Sequence, residues 1–239
     1  MENSVYIGLS QQTAMRRQLD VIANNLANMN TTAFKSEKVL FREFLMQPQH
    51  GEPMSFVEDY GVLRDTQEGK LETTSNPLDV AINGRGYLAV STPAGTRYTR
   101  NGHLKMNSSG LLTTSEGYAV LDDRSQPITL NSGNGQPTIA LDGTISDNSG
   151  RVDRLNLVQF QNEQALQQTG SGLYATDQTP TPASNSTLQQ GMIESSNVEP
   201  ITEMTKMIEL QRSYEAAQSL IQADNDRQTK SIESLAKFS

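Results

Sequence analysis

Apolar residues recur at helical spacing along the first 30 positions of the chain. They form one narrow stripe, interrupted at Gln12, that consists of Val5, Leu9, Met15, Leu19, Ile22, Leu26 and Met29. This spacing predicts a helix over residues 3–29, roughly 40 Å long. A stop directly after it is indicated by the polar residues Asn28, Asn30, Thr31 and Thr32.

The other end of the chain carries a second stripe. Residues 201–238 contain no Gly and no Pro, and their apolar seam consists of Met204, Met207, Leu210, Tyr214, Ala217, Ile221 and Leu235. The seam weakens at Asp224 and Gln228, so we expect the far end of this helix to depend on partners. Both stripes are narrow, as in a coiled-coil seam, and predict that the two helices pack as a coiled-coil-like pair.

Glycine and proline are concentrated in the middle of the chain and argue against helices there. All nine prolines lie between Pro48 and Pro200, and 16 of the 17 glycines lie between Gly51 and Gly191. Residues 78–83 alternate at period two, residues 86–91 and 96–100 read as a hairpin around a turn, and residues 151–160 read as a later strand. These patterns predict a small all-β domain.

The predicted fold class is therefore α+β, with long terminal helices and a central β domain. The predicted segments are an N-terminal assembly helix at 1–32, an irregular connector at 33–77, the β domain at 78–176, a linker at 177–200 and a C-terminal assembly helix at 201–239. The linker is predicted from the Thr- and Pro-rich composition of residues 179–186.

Composition narrows the possible functions. The net charge is -8, which argues against nucleic acid as a partner, because that affinity rests on basic residues. Aromatic residues make up 5% of the chain and Trp is absent, so part of it should bury its apolar face against other chains. Cysteine is absent, which excludes disulfides and thiolate metal sites. No run approaches the ~20 apolar residues of a membrane span, and the N-terminus lacks the features of a Sec signal peptide.

Candidate chemistry is weak. Residues 84–89 match G-x-G-x-x-A, but the dinucleotide fingerprint needs a helix after the turn, and the sequence continues here as a strand. His50 and His103 read as solvated loop histidines, and Asp122-Asp123 as a solvated turn. We expect no catalytic residue, metal or cofactor. The competing classes are a small-molecule binder that uses Gly84–Gly86 and a soluble adaptor with an intramolecular coiled coil.

Three stretches resemble the flagellar rod and hook protein family. Residues 23–28 with 31–35 are similar to its N-terminal signature, residues 76–84 with 98–102 to its central signature, and residues 194–198 with 207–215 to its C-terminal signature. Ala33 stands where the family usually has Gly, and we expect a less left-handed turn there. Chain length and the opening residues resemble the proximal rod type, and the distal rod type is the alternative.

The resemblance implies a structural, non-enzymatic subunit of the bacterial basal-body rod. It implies export through the flagellar type III apparatus without a cleaved signal peptide, and assembly with copies of itself and other rod proteins in the shaft that crosses the periplasm. Its helical ends would be poorly ordered until they dock. The expected assembly interface comprises both apolar seams, with Asn24, Asn25 and Asn28 making hydrogen bonds between subunits.

Overall fold

A computed structural model describes residues 2–46 and 54–236 of the chain. These residues form two compact units that are interleaved in sequence. The first, here called the helical unit, takes its described residues from 1–29, 36–65 and 198–239. The second, here called the β unit, consists of residues 30–35 and 66–197.

The helical unit contains two helices and one hairpin. Its elements are helix α1 (Glu2–Ala27), strand β1 (Glu37–Met46), strand β2 (Met54–Arg64) and helix α2 (Pro200–Ala236). Proline is tolerated at the start of α2 because the first helical turn needs no backbone N–H donor there. Both helices end within two residues of the predicted positions. Neither has a proline after its first residue, and the single glycine of α1, Gly8, does not interrupt that helix.

The hairpin lies in the segment that the sequence predicts as an irregular connector. Strands β1 and β2 pair antiparallel from Glu37↔Arg64 to Met46↔Met54, with a bulge between Leu40 and Phe41. Apolar residues occur next to one another in β1 rather than at every second position, so the strand period is hidden.

The two helices run antiparallel within the helical unit. The Asn25 side chain hydrogen-bonds to Glu203, and Gly8 faces Ile221 near the other end of α1. Helix α2 has 37 residues against 26 in α1, and this register leaves its last described turns beyond the start of α1. These contacts at both ends of α1 establish that it pairs with α2 inside the chain.

The β unit is built from short strands. They are β3 (Leu71–Thr73), β4 (Val80–Asn83), β5 (Tyr87–Thr92), β6 (Gly95–Thr99), β7 (Leu104–Met106), β8 (Leu112–Thr114), β9 (Ala119–Val120), β10 (Thr138–Ile139), β11 (Thr144–Asp147), β12 (Gly150–Arg154), β13 (Leu157–Gln159), β14 (Gln167–Gly170), β15 (Leu173–Ala175), β16 (Thr181–Pro182), β17 (Thr187–Gln190) and β18 (Met192–Glu194). Short 3₁₀ turns occur at Ser132–Asn134 and Glu163–Ala165.

The largest sheet has nine strands, with β14-β15-β6-β5-β9-β8-β7 in order and β13 and β16 joined to it through β5. A three-stranded sheet is formed by β10, β11 and β12, and the remaining strands pair as β17 with β4 and β18 with β3. The predicted hairpin over residues 86–100 is confirmed as β5 and β6.

Strand β5 is buried on both faces and organises the core. Leu88 and Val90 point into an aliphatic cluster, whereas Tyr87 and Ala89 point into an aromatic one. The aromatic cluster includes Phe160, whose ring packs edge-on against Tyr98 at 4.8 Å between centroids. The continuous apolar run of β5 is therefore the pattern of a central strand.

The predicted α+β class is confirmed. The structure differs from the sequence prediction in two further places. Residues 151–160 form two strands, β12 and β13, rather than one. The linker at 177–200 contains β16, β17 and β18, because β17 and β18 pair with the distant strands β4 and β3, which local composition does not reveal.

Candidate assembly surface

Exposed apolar side chains are concentrated in the helical unit. Among the described residues, every large apolar side chain that is exposed belongs to it, apart from Met106 and Leu141. Those of the helical unit are Tyr6, Ile7, Leu9, Leu40, Phe41, Phe44, Leu45, Val57, Tyr60, Leu63, Ile201, Met204, Ile208 and Leu220. A patch of this kind is typical of a surface that binds another protein.

The predicted interface residues of α1 fall into three groups. Leu9 is 56% exposed, Met15, Leu19 and Leu26 are half-buried, and Ile22 is buried. Ile22 is therefore already covered inside the chain and is not available to a neighbouring subunit. The side chain of Val5 lies outside those that the structure describes.

The predicted seam of α2 is partly covered inside the chain. Met204 is exposed, whereas Met207, Leu210, Tyr214, Ala217 and Ile221 are half-buried, and the side chain of Leu235 is outside the described ones. The covered positions continue to Asp224 and Gln228 at alternating steps of four and three residues.

Sequence reasoning missed a second apolar stripe on α2. Ile201 and Ile208 share an exposed face with Met204, which the sequence assigned to the seam. This face points away from the half-buried seam residues, and Ile201 is 82% exposed. The signal was present, since Ile201, Met204 and Ile208 follow one another at spacings of three and four.

The expectation of hydrogen bonds between subunits is wrong for Asn25. This residue is 2% exposed, and its amide bonds within the chain. Its Nδ2 donates to the Glu37 carbonyl at 2.8 Å and to Glu203 Oε2 at 3.1 Å, and its Oδ1 accepts from the Glu37 N–H at 2.9 Å. Asn25 therefore joins α1, β1 and α2. Asn28 donates to the Asn24 carbonyl, which closes the end of α1.

The hairpin is also attached to α1. The Ser10 hydroxyl donates to the Val57 carbonyl and accepts from the Val57 N–H, and Arg17 pairs with Asp59 at 3.1 Å. Helix α1 thus supplies a hydrogen-bond partner for the backbone N–H and C=O groups of Val57 in β2. The exposed side chains Phe44 and Leu45 then add apolar surface beside that of the helices.

The β unit encloses three charged side chains that sequence reasoning quoted only as parts of motifs. Lys35 Nζ lies 2.5 Å from Glu194 Oε1, and Arg100 Nε donates to Glu194 Oε2 at 2.9 Å. The Glu194 side chain is 0% exposed and the two cationic ones are each 4% exposed. Burial lowers the pKa of Lys35, and the nearby Glu194 only partly opposes this effect.

Ala33 leads into this cluster. Its φ is 57°, and its N–H donates to the Glu194 carbonyl at 2.7 Å. The expectation of a less left-handed turn at Ala33 is therefore wrong: the turn keeps the conformation that suits glycine.

The glycine motif at residues 84–86 does not offer a phosphate site. Strand β5 follows it instead of a helix, and Arg100 donates to the carbonyl groups of Gly84 and Gly86. The Gly84 N–H is occupied by Glu68. These contacts argue against the small-molecule-binding alternative.

Two of the polar candidates differ from the solvated groups that the sequence predicts. His103 is half-buried and its Nδ1 lies 2.7 Å from Asp79 Oδ1, while His50 is outside the described residues. Asp122 is buried; burial alone would raise its pKa, but hydrogen bonds from Gln126 and Arg124 outweigh this and lower it.

Asp122, Asp123 and Asp153 bring three carboxylates together. Arg124 lies 3.2 to 3.9 Å from all three and offsets part of their charge. This cluster therefore reads as an ion-pair network.

Neither helix in the described part of the chain is both long and apolar enough to cross a membrane.

Three separate regions of the chain match known families, and each overlaps one of the three motifs. Residues 6–35 match the family described as flagella basal body rod protein, residues 81–147 the flagellar hook protein FlgE/F/G D1 domain, and residues 189–234 the flagellar basal body rod FlgEFG protein C-terminal region. The basal-body rod protein FlgF of Caulobacter vibrioides is 38% identical, with 100% of both chains covered. FlgF of Mesorhizobium japonicum is 34% identical over the same full coverage.

The chain belongs to the flagellar basal-body rod protein family. Within this family, similarity favours the FlgF type, which is the proximal type predicted from the sequence. The FlgG protein of Caulobacter vibrioides is 32% identical and covers 89% of this chain, whereas FlgF of the same organism covers all of it. Members of the flagellar rod family are structural proteins, so the chain is not an enzyme.

Proposed function

We propose that the chain is a structural subunit of the proximal part of the flagellar rod and that it polymerises through its helical unit. The observation that carries this proposal is the segregation of exposed apolar surface. The helical unit has it on α1, on α2 and on both strands of the hairpin, whereas the described β unit has two exposed large apolar side chains. Copies of the chain and other rod proteins would cover this surface.

The helix pair supplies the framework of the proposed shaft. The alternating four- and three-residue steps of the covered positions on α2 support a coiled-coil-like pairing with α1. The pairing leaves Met207, Leu210 and Tyr214 half-buried, so neighbouring helices can bury them further. Full burial of one such side chain is worth about 1.5–3 kcal/mol, and several per subunit along a filament stiffen the shaft.

The far ends of the helices would become ordered on docking. The last described turns of α2 extend beyond α1, and no helix within residues 2–46 and 54–236 lies beside them. An isolated helical segment is marginally stable in water, because its hydrogen bonds barely offset the entropy lost. Neighbouring subunits would provide the missing contacts.

The β unit would modulate lateral contacts between neighbouring subunits. Export of the unfolded chain by the flagellar type III apparatus suits a protein without cysteine, since no disulfide has to be broken before passage. The proposed location is the basal-body rod.

The decisive experiment replaces exposed apolar residues by aspartate. Ile201 is 82% exposed in the first turn of α2, where an added carboxylate interacts favourably with the helix dipole. Leu220 is 73% exposed farther along the same helix. Because neither side chain is buried within the chain, we expect Ile201→Asp with Leu220→Asp to keep the fold and abolish motility in a strain that lacks the native gene.

Leu141→Asp is the matched control, since Leu141 is 63% exposed on the β unit. It should support swimming and co-purify with basal bodies. If the double variant of α2 swims as well as the wild type, the polymerisation proposal fails and intramolecular pairing is the whole role of the helices.

A further inference from the structure

The chain passes between its two units at four points, after residues 29, 35, 65 and 197. Each point borders one of three short segments of the β unit: residues 30–35, 66–70 and 194–197. We refer to these three segments together as the clamp. Helices α1 and α2 are separated in sequence by the hairpin and the whole β unit. Helix α1 ends at Ala27, shortly before residues 30–35, and α2 begins at Pro200, shortly after residues 194–197.

Main-chain hydrogen bonds join the segments of the clamp. The Ala33 N–H donates to the Glu194 carbonyl at 2.7 Å, and the Asn197 N–H donates to the Phe34 carbonyl at 3.3 Å. The Ser195 N–H donates to the Lys70 carbonyl at 2.8 Å. Residues 194–197 are thus bonded to both of the other segments.

The Glu194 carboxylate binds the same segments a second time. Its Oε1 accepts from Lys35 Nζ at 2.5 Å and from the Gly69 N–H at 3.0 Å, while Oε2 accepts from Arg100. Lys35 Nζ also donates to the Gln67 carbonyl. A fully buried carboxylate with these partners is strongly held, because separating it from them would leave an unpaired charge inside the β unit.

Gly69 shows how closely two of the segments approach. A Cβ atom added at this position would lie 1.9 Å from the Ser195 carbonyl oxygen. No side chain fits there without moving residues 66–70 away from residues 194–197.

We propose that the clamp brings the ends of α1 and α2 into register, so that the two helices pair from the clamp outward. The buried side chains of the helices support this direction. Val21, Ile22 and Asn25 lie in the last two turns of α1, and Glu203 lies in the first turn of α2. Toward the opposite ends, the described side chains are half-buried or exposed.

The physical reason is effective concentration. Two segments that are held together at one end meet far more often than two free ends of a long chain, and helix nucleation is the costly step. The register is a property of the single chain, so it holds whether or not the helices assemble as proposed above.

Distance measurements between spin labels on the isolated full-length chain test the proposal. The chain has no cysteine, so introduced cysteines are the only labelled positions. A near pair uses Asn24→Cys with Thr202→Cys, and a far pair uses Gln11→Cys with Gln218→Cys; all four positions are exposed. In the native background, the near pair should have the narrower distance distribution.

Two variants open the clamp by unrelated means. Glu194→Gln removes the buried charge, and Gly69→Ala adds a methyl group where none fits. Each should broaden the near-pair distribution at least about twofold while hydrogen exchange shows β5 and β8 still protected. Gly133→Ala is the control, because a Cβ there would approach only the movable Asn131 side chain, at 3.3 Å.

The proposal is overturned if the near pair stays narrow in both clamp variants. It is equally overturned if the near pair is as broad as the far pair in the native background. A loss of motility with narrow near-pair distances would contradict the clamp and leave the assembly proposal intact.

Discussion

At the scale of single residues, each of the three family motifs contributes one charged side chain to the same buried cluster. Lys35, Arg100 and Glu194 come one from each of the three regions that match family descriptions, and the fold brings them into one buried cluster. Glu194 lies 159 positions from Lys35 and 94 positions from Arg100, so no local pattern reveals the pairing. The resemblance located the motifs, and the ion pairs with Glu194 explain how Lys35 and Arg100 can be buried.

The lowered pKa of Lys35 predicts a dependence of stability on pH. Below the lowered pKa, the folded β unit holds a buried cation that the unfolded chain would hydrate freely. Between that pKa and the ordinary value of 10.5, the unfolded state binds more protons, so the free energy of unfolding should rise with pH. Urea unfolding from about pH 7 to about pH 10 should show this rise in the native chain and a smaller one in Lys35→Met.

The matched control for this series is Lys105→Met. Lys105 is exposed on β7, and its removal should leave the pH dependence of the native chain unchanged. Identical pH dependence in the native chain and Lys35→Met would refute the assignment.

At the scale of elements, the helices were predictable and the hairpin was not. Both helices are long, have no proline after the first residue and are marked by apolar residues at helical spacing. The strands β1 and β2 expose apolar side chains such as Leu45 and Tyr60, so they lack the alternation of a half-buried sheet. What makes them strands is mutual pairing and attachment to α1 through Ser10 and Asn25.

The seam of α1 predicts the outcome of Leu19→Asp. Leu19 is half-buried in the helical unit, so a carboxylate there should weaken the unit by about 2 kcal/mol. We expect fewer basal bodies by electron microscopy and an unchanged thermal transition of the β unit.

Gln11→Asp places the same charge at an exposed position of the same helix and serves as the control. It should leave the stability of the helical unit within about 0.5 kcal/mol of the native value. A normal number of basal bodies with Leu19→Asp would show that the seam is dispensable.

At the scale of the whole molecule, the chain is two interleaved units rather than a row of five segments. The β unit includes residues 30–35, which precede the hairpin, and strand β18 shortly before α2. Its boundaries are therefore set by contacts across the sequence, such as the pairing of β3 with β18. A prediction that proceeds along the chain places these residues in connectors.

Truncation tests this division. Deletion of residues 1–29 removes α1 and keeps Lys35, so the β unit should retain its melting temperature while the chain fails to join a rod. Deletion of residues 1–36 also removes Lys35 and leaves buried Glu194 with one cationic partner. The loss of a buried ion-pair partner costs about 3–5 kcal/mol, so the melting temperature should fall by roughly 10 °C.

Calorimetry gives the melting temperatures of these two truncated chains. A third chain, which lacks residues 205–239, completes the comparison. The third chain keeps the clamp and should melt like the chain that lacks residues 1–29. Equal melting temperatures for the two N-terminal deletions would show that residues 30–35 do not belong to the β unit.

The amino-acid sequence by itself determined the two helices, the β character of the middle and the family. These properties follow from helical periodicity, from the placement of glycine and proline, and from motifs, all of which are local in the chain. Only the tertiary structure decided that residues 37–64 form a hairpin and that charged side chains cluster around Glu194. It also decided that Asn25 hydrogen-bonds within the chain and that the second apolar stripe of α2 is exposed. Each of these depends on which distant residues meet and on what they shield from water, and no window along the chain contains that information.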